Sequence, residues 1–318
     1  MPDTRLLDAL ALARGDLDRA AERRDDAAWI AGAWADESTR ILLVHKGSAL
    51  VDWDGADAGG AASLVLTTPS QAPVDGVRVL VGVVDGAAVF AVLAPPEADV
   101  PEAGEGQRWC DLRQCGAQLD DTGAALLVAA VALANWHATH PRCPRCGTQS
   151  QPAQAGWSRV CPDDGSQHFP RSDPAVIVLV TDADDRALLG RRMEWPPSFF
   201  STLAGFVEAG ESAEMAVLRE LSEEAGVDVD PSALDYLGSQ PWPFPSSLML
   251  GYRARLAAGS RVAVPDGVEI EEVRWFTREE MRAAAESGEL RIPPRVSIAR
   301  RLIEHWYGGE LPGSWSRP

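Results

Sequence analysis

A single lysine, Lys46, stands in 318 residues, and the other 28 basic side chains (29 less that one) are arginines. Acids outnumber them at 47, leaving a formal charge of −18. That balance excludes a general binder of duplex nucleic acid or of anionic membranes, because no bulk positive field draws in polyphosphate. A small anionic substrate must be met locally, by metal and a few arginines. The shortage of lysine reflects the base composition of the gene more than function. Cysteine is scarce too, five in all, which excludes a disulfide scaffold. The apolar stretches VLTTPS and VGVVDGAAVFAVLA are too short or too interrupted to cross a bilayer, and the opening PDTRLLDALALARGDLDR carries acids and no long apolar run of a secretory signal. These absences predict a soluble cytoplasmic protein. What is present, a chain 46% hydrophobic, suffices for the cores of two domains.

Residues 6–24, LLDALALARGDLDRAAERR, have helical spacing. From Thr39 to about Leu93 the runs RILLVHKG, ALVDWDG, SLVLTT, VRVLVGVVDG and AAVFAVLA alternate with Gly, Asp and Pro, and predict an open antiparallel sheet. PPEADVPEAGEGQRW reads as a loop, and GAALLVAAVALANWHATH, from Gly123 to His140, as a buried helix. After Ser172, AVIVLVTD, ALLGRR and FFSTLAGFVE precede a polar helix. LDYLGSQPWPFPSSLMLGYRARLA, EIEEVRWFT and a closing helix, SIARRLIEHWYG, follow it. Strands flanking one helix, with a second at the end, predict an α/β/α arrangement.

That polar helix lies in Gly205–Val227, GFVEAGESAEMAVLRELSEEAGV. Ser212 to Ala225 contains no Pro or Gly and stops at Gly226, which suits a left-handed C′ position. Ala213, Val217 and Leu221 form an apolar stripe, while Glu220, Glu223 and Glu224 project together from an adjacent face. Such carboxylates raise one another's pKa unless a cation sits among them, and an all-oxygen cluster suits Mg²⁺ or Mn²⁺. Arg219, four residues before Glu223, is placed to pair with it. A solvated helix face places no requirement on Gly205, Glu211 or Gly226. All three stand at the spacings of the Nudix box, which the stretch resembles at every defining position.

Two further landmarks stand apart from the box. Cys143 and Cys146 form a CxxC followed by Gly, as in a zinc knuckle, and Cys161 opens a second knuckle whose partner position holds Asp164. Three thiolates with Asp164, or with His168, complete a tetrahedral site. Asp164 keeps the knuckle spacing. Cys110 and Cys115 read as plain buried thiols. Past the box, SQPWPFPSS alternates prolines with aromatics, which predicts a fixed extended loop holding Trp242 and Phe244 for stacking on a purine or nicotinamide ring.

The box, the cysteine segment and SQPWPFP together resemble the NADH pyrophosphatases, NudC-type Nudix hydrolases. The resemblance implies a mixed α+β and α/β chain: a β-rich N-terminal domain over 1–140, a zinc-ribbon segment over 141–170 and a Nudix α/β/α sandwich over 171–310. It implies a homodimer cleaving the pyrophosphate of NAD(H) to nicotinamide mononucleotide and AMP, and removing NAD caps from RNA 5′ ends. Its metal ligands fall on Glu220, Glu224 and Glu269 with the backbone of Ala204, and two or three Mg²⁺ or Mn²⁺ engage Glu211 and Glu223 as well. Either Glu223 or Glu224 accepts the proton of the attacking water. Substrate positions resemble Lys46 in the HKG strand, Arg113, Phe169, the loop Gln240, Pro241, Trp242, Pro243, Phe244, Pro245, Ser246 and Ser247, and Ala299. The chain departs from the family at Asp164, a cysteine there, at Phe169, an aromatic hydroxyl there, and at Gly156, where a glutamate is sometimes found. The alternatives are a Nudix pyrophosphatase for ADP-ribose or another nucleoside diphosphate derivative, and a non-catalytic module that senses NAD.

Overall fold

The computed structural model describes residues 7, 10–53, 60–72 and 76–315, in two compact units. One holds Arg14–Ser172 and Pro243–Ser246; the other holds the described residues up to Ala13, Asp173–Trp242, and Ser247 onward.

In the first of these units, α1 (Ala27–Ala35) is capped by Asp26, which accepts the Trp29 amide. The sheet contains β1 (Arg40–His45), β2 (Ser48–Asp52), β3 (Ser63–Leu64), β4 (Val77–Val84), β5 (Ala87–Ala94) and β6 (Gln107–Asp111). Its order is β3-β2-β1-β5-β4, with β6 also on β2. The expectation of an open antiparallel sheet is corrected here, because β1 and β5 run parallel from Arg40↔Val89 to His45↔Ala94. Both are almost wholly buried, as suits central strands, and apolar patterning specifies faces rather than directions. A second correction is β6, which takes Gln107–Trp109 from the end of the expected loop into a strand. A third is Lys46, which lies in a two-residue turn with Gly47 (φ 50° and 76°), not in a strand. A fourth concerns residues 6–24: positions 6, 8 and 9 lie outside the described residues, and 10–24 are irregular apart from one 3₁₀ turn at Ala21–Arg23.

After α2 (Leu112–Cys115) comes α3 (Asp121–Thr139), capped by Asp120 and buried along most of its length. By length and composition α3 would suit a bilayer, but its apolar surface is spent inside its own unit. The cysteine segment follows as β7 (Gln151–Ala153), β8 (Ser158–Val160) and β9 (Gln167–His168). Buried Arg159 ties it to α3: Nη1 lies 2.8 Å from His137 Nδ1, and Nε donates to Ser150 Oγ at 2.8 Å. His137 Nε2 lies 2.8 Å from the Gly156 carbonyl. This histidine therefore donates through Nε2 and accepts at Nδ1, staying neutral as burial lowers its pKa. Gly156 (φ 88°) is obligatory, since a Cβ there would lie 2.6 Å from Val79 Cγ2 and 2.9 Å from the Arg78 carbonyl.

The second unit is built on β10 (Asp173–Thr181), β11 (Ala187–Arg192), β12 (Leu203–Phe206), α4 (Ala213–Ala225), β13 (Asp235–Trp242), β14 (Ser247–Arg255), β15 (Ile270–Phe276), α5 (Arg278–Ser287) and α6 (Ile298–Tyr307). Strand order is β13-β14-β10-β11-β15, with β12 also on β10. Alternation along β10 sends Val176, Val178 and Val180 to Val217 and Leu221 of α4, and Ile177 and Leu179 to Met281 of α5 and Leu302 of α6. The α/β/α expectation holds, with α5 as an addition. Its start carries a capping box in which Thr277 and Glu280 serve each other's amides. The 240–247 stretch is a hairpin rather than an extended loop: Pro241 pairs with Leu248 and Trp242 with Ser247 across a turn at 243–246. Proline is tolerated there because β13 is an edge strand.

Buried Arg300 and Glu304 pair along α6 at 2.8 Å, and the same guanidinium donates to the carbonyls of Pro293, Leu311 and Gly313. Glu304→Ala strands that charge and should cost about 3–5 kcal/mol, read as a lowered denaturation midpoint at unchanged m-value. Arg301→Ala, removing the partly exposed partner of the same carboxylate, should cost about 1 kcal/mol or less.

Candidate active site

Helix α4 starts where Ser212 accepts the Met215 amide and ends where Gly226 (φ 65°) returns its own amide to Leu221 and Ser222. Ala216, Val217, Leu221 and Ala225 are buried, which turns Arg219, Glu220 and Glu223 outward and leaves Glu224 at the boundary, 5% exposed. Arg219 is the hub. It donates to both oxygens of Glu211 at 2.9 and 2.8 Å, to Glu220 at 2.8 Å, to Glu223 at 3.0 Å and to the Phe206 carbonyl at 2.8 Å. These bonds hold the Glu211 carboxyl below its ordinary pKa, while burial pushes Glu220 upward despite Arg219. Glu220 reaches back against β12 so closely that a Cβ on Gly205 would lie 1.9 Å from its carboxyl carbon. The first glycine of the box is thus a cradle for a carboxylate.

Glu224 accepts the Ala204 amide at 3.2 Å through Oε2. Burial, then the neighbouring Glu220, push its carboxyl up to about 8, against the pull of Arg192 and that amide. Exposed Glu269 completes the acidic cluster just before β15, with Arg192 Nη2 at 3.2 Å. Its place is set by Asp266, whose carboxylate accepts the amides of Val268, Glu269 and Ile270 and whose own amide donates to the Glu224 carbonyl at 3.3 Å. Sequence reading missed Asp266 and Arg192. D-G-x-E reads as an Asx turn only once its end is known to matter. The donor set is all oxygen, crowded and partly desolvated, which fits hard divalent cations.

Atoms of Cys143, Cys146, Cys161 and Asp164 all lie within 4.8 Å of one another. Cys146 Sγ and Cys161 Sγ are 3.5 Å apart, and Cys143 Sγ is 3.8 Å from Asp164 Oδ2. A tetrahedral ion with bonds of about 2.0–2.3 Å separates its ligands by roughly 3.3–3.8 Å, so the cluster fits zinc. The two knuckles repeat each other: Gly147 N donates to Cys143 O, and Gly165 N to Cys161 O, at 2.9 and 3.0 Å. Asp164 therefore occupies the place of Cys146. Ser166 binds its Oδ1 through hydroxyl and amide, holding the carboxyl down to about 2. His168 Nε2 instead lies 3.1 Å from Ser166 Oγ.

The remaining predicted residues fall in both units. Gln240 is fully buried, its amide spanning the Leu12 N–H and the Val296 carbonyl. Ala299 is buried at the start of α6. Phe169 is 62% exposed, and Lys46 is exposed in its turn. Arg113 lies 4.0 Å over the Phe244 ring, and Asn135, also missed, donates to the Pro243 and Pro245 carbonyls at 2.7 and 3.3 Å.

Family profiles match three segments: "NADH pyrophosphatase-like rudimentary NUDIX domain" over 38–136, "NADH pyrophosphatase zinc ribbon domain" over 138–169 and "NUDIX domain" over 171–296. A protein of Mycobacterium bovis named NAD-capped RNA hydrolase NudC is 41% identical, covering 96% of each chain. A protein of the same name from Stutzerimonas stutzeri is 43% identical over 71% of this chain and 76% of its own. NAD-capped RNA hydrolase NUDT12 of Macaca fascicularis is 41% identical over 59% of this chain and 43% of its own.

Glu224 makes the metal-free protein pH-sensitive with a definite sign. Its carboxyl stays protonated up to about 8 when folded but ionises near 4.5 when unfolded, so stability should fall as pH rises through that window. Melting temperatures in excess chelator should follow this trend, and Glu224→Gln should flatten it. A variant whose slope matches the wild type would refute the assignment.

Proposed function

This chain belongs to the NADH pyrophosphatase (NudC-type) family of Nudix hydrolases, and from that premise we propose how its residues divide the work. It hydrolyses the pyrophosphate bond of NAD(H) to nicotinamide mononucleotide and AMP, and releases the same mononucleotide from NAD-capped RNA 5′ ends. The observation that carries the reading is the cluster of Glu211, Glu220, Glu223 and Glu224 gathered by Arg219, with Glu269 beside Arg192.

Glu220, Glu224 and Glu269 would hold two or three Mg²⁺ or Mn²⁺, with Glu211 and the Ala204 backbone supporting them. Bound there, the ions supply neutralisation of phosphate charge and a more acidic water. Arg219 keeps the carboxylates in one geometry. Glu224, buried and tied to the Ala204 amide, is suited to a ligand's role; Glu223, exposed and held through one oxygen, is suited to accept the proton of the attacking water. Trp242 and Phe244 are the candidates for the stacking role, and within its own unit Phe244 has the Arg113 guanidinium 4.0 Å over one face of its ring. Cys143, Cys146, Cys161 and Asp164 hold a structural zinc. We take the working form to be a cytoplasmic homodimer.

Incubation with NADH and Mn²⁺ should release AMP and reduced nicotinamide mononucleotide in equal amounts. Faster turnover of ADP-ribose than of NADH would overturn the substrate assignment. Glu223→Gln should keep Mn²⁺ affinity and lower kcat by about 10²–10⁴-fold, whereas Glu224→Gln should lose Mn²⁺ affinity as well.

Purified protein should contain about one zinc per chain. Asp164→Ala should lose it while His168→Ala retains it; the reverse pattern would move the fourth ligand to the histidine.

A further inference from the structure

Two arginines serve the acidic cluster, and they are committed to very different degrees. Arg219 spends its guanidinium on three carboxylates and a carbonyl. The Arg192 guanidinium hydrogen-bonds Glu269 alone among the described residues, at 3.2 Å, and its side chain is 41% exposed. Its neighbour Arg191 is spoken for, clamped between Glu271 at 2.7 Å and Glu272 at 3.3 Å. A register shift between the two separates their fates: Arg191 pairs with Glu272 and Arg192 with Ile270, so that Glu271 is the extra residue on β15. Without that shift, Arg192 would stand opposite Glu271; with it, Arg192 stands opposite Ile270 and reaches Glu269 instead. Arg192 also opposes the rise in the Glu224 pKa, which puts its charge within reach of the buried carboxylate.

Among the described residues, the one side-chain partner of the Glu269 carboxylate is thus a cation, which a divalent metal must displace. A guanidinium released there, on a half-exposed side chain, has a fork matched to phosphate oxygens. Hydrolysis of a dinucleotide pyrophosphate turns one bridging anhydride into two phosphate monoesters and adds negative charge where that fork would lie. We propose that Arg192 exchanges partners: it holds Glu269 while the site lacks a divalent cation, and binds the substrate's pyrophosphate once the cation takes Glu269. Arg192 is then a positioning residue in the empty site and a phosphate ligand in the loaded one. This rests on the hydrolase reading above.

The test uses the full chain and two binding measurements that need no turnover. Mn²⁺ titrated into substrate-free Arg192→Gln, followed by the spin-resonance signal of the free ion, should bind about three- to tenfold more tightly than to wild type, because its competitor for Glu269 is gone. Methylenediphosphonate, a pyrophosphate analogue that is not cleaved, should bind the Mn²⁺-loaded variant about tenfold more weakly, with Arg192→Lys in between because it keeps charge but not the fork. A purely structural arginine would move neither quantity in these opposite directions. Mn²⁺ affinity unchanged or weakened in Arg192→Gln, at a wild-type melting temperature, overturns the exchange; unchanged affinity for the diphosphonate overturns the phosphate contact. Should wild type fail to cleave NADH, the hydrolase reading falls while both measurements still report on Arg192.

Discussion

Five carboxylates converge on one end of a sheet, and their mutual repulsion is the constraint around which the second unit is arranged. Arg219 meets it by accepting a fourfold commitment from within the same helix, so that most of the site is neutralised by residues only a few positions apart in sequence. What a local arginine cannot reach is dealt with by distance or burial. Burial raises the Glu224 carboxyl to about 8, and Glu269 is held across a strand pair by Arg192. The cluster's charges are thus balanced inside its own unit, by Arg219 along α4 and by Arg192 across the strand pair.

The parts of this arrangement legible in sequence are those whose signals are local. Ser212 and Gly226 delimit α4, its apolar residues choose the buried face, and the Arg219–Glu223 pair follows from spacing alone. The capping box of Thr277 and Glu280 is as legible, although α5 has no place among the elements expected from sequence. Other features lie beyond local pattern. The parallel pairing of β1 and β5 brings together residues some fifty positions apart whose apolar alternation is silent about direction. The turn made by Asp266 and the register shift beside Arg192 are single-residue irregularities, and both place Glu269 or its partner.

The cysteine segment is a case where sequence left two choices and geometry supplies a reason to rank them. Asp164 stands at the second knuckle as Cys146 stands at the first, with one oxygen fastened by Ser166 and the other facing Cys143. A carboxylate there is shorter in reach and harder than a thiolate, so zinc held by this set should exchange more readily than with four sulfurs. The anchoring of the segment does not depend on that choice, since Arg159 and His137 join it to α3 through hydrogen bonds of their own.

Gly156 turns that anchoring into a matter of shared space. Its carbonyl receives the His137 ring, and the space beside its α-carbon is filled by Val79 and the Arg78 backbone. A side chain at 156 would meet the Val79 methyl and the Arg78 carbonyl together, and a smaller residue at 79 relieves only the first. Substitutions at 156 and 79 are therefore coupled, and their joint effect on stability should differ from the sum of the two measured apart.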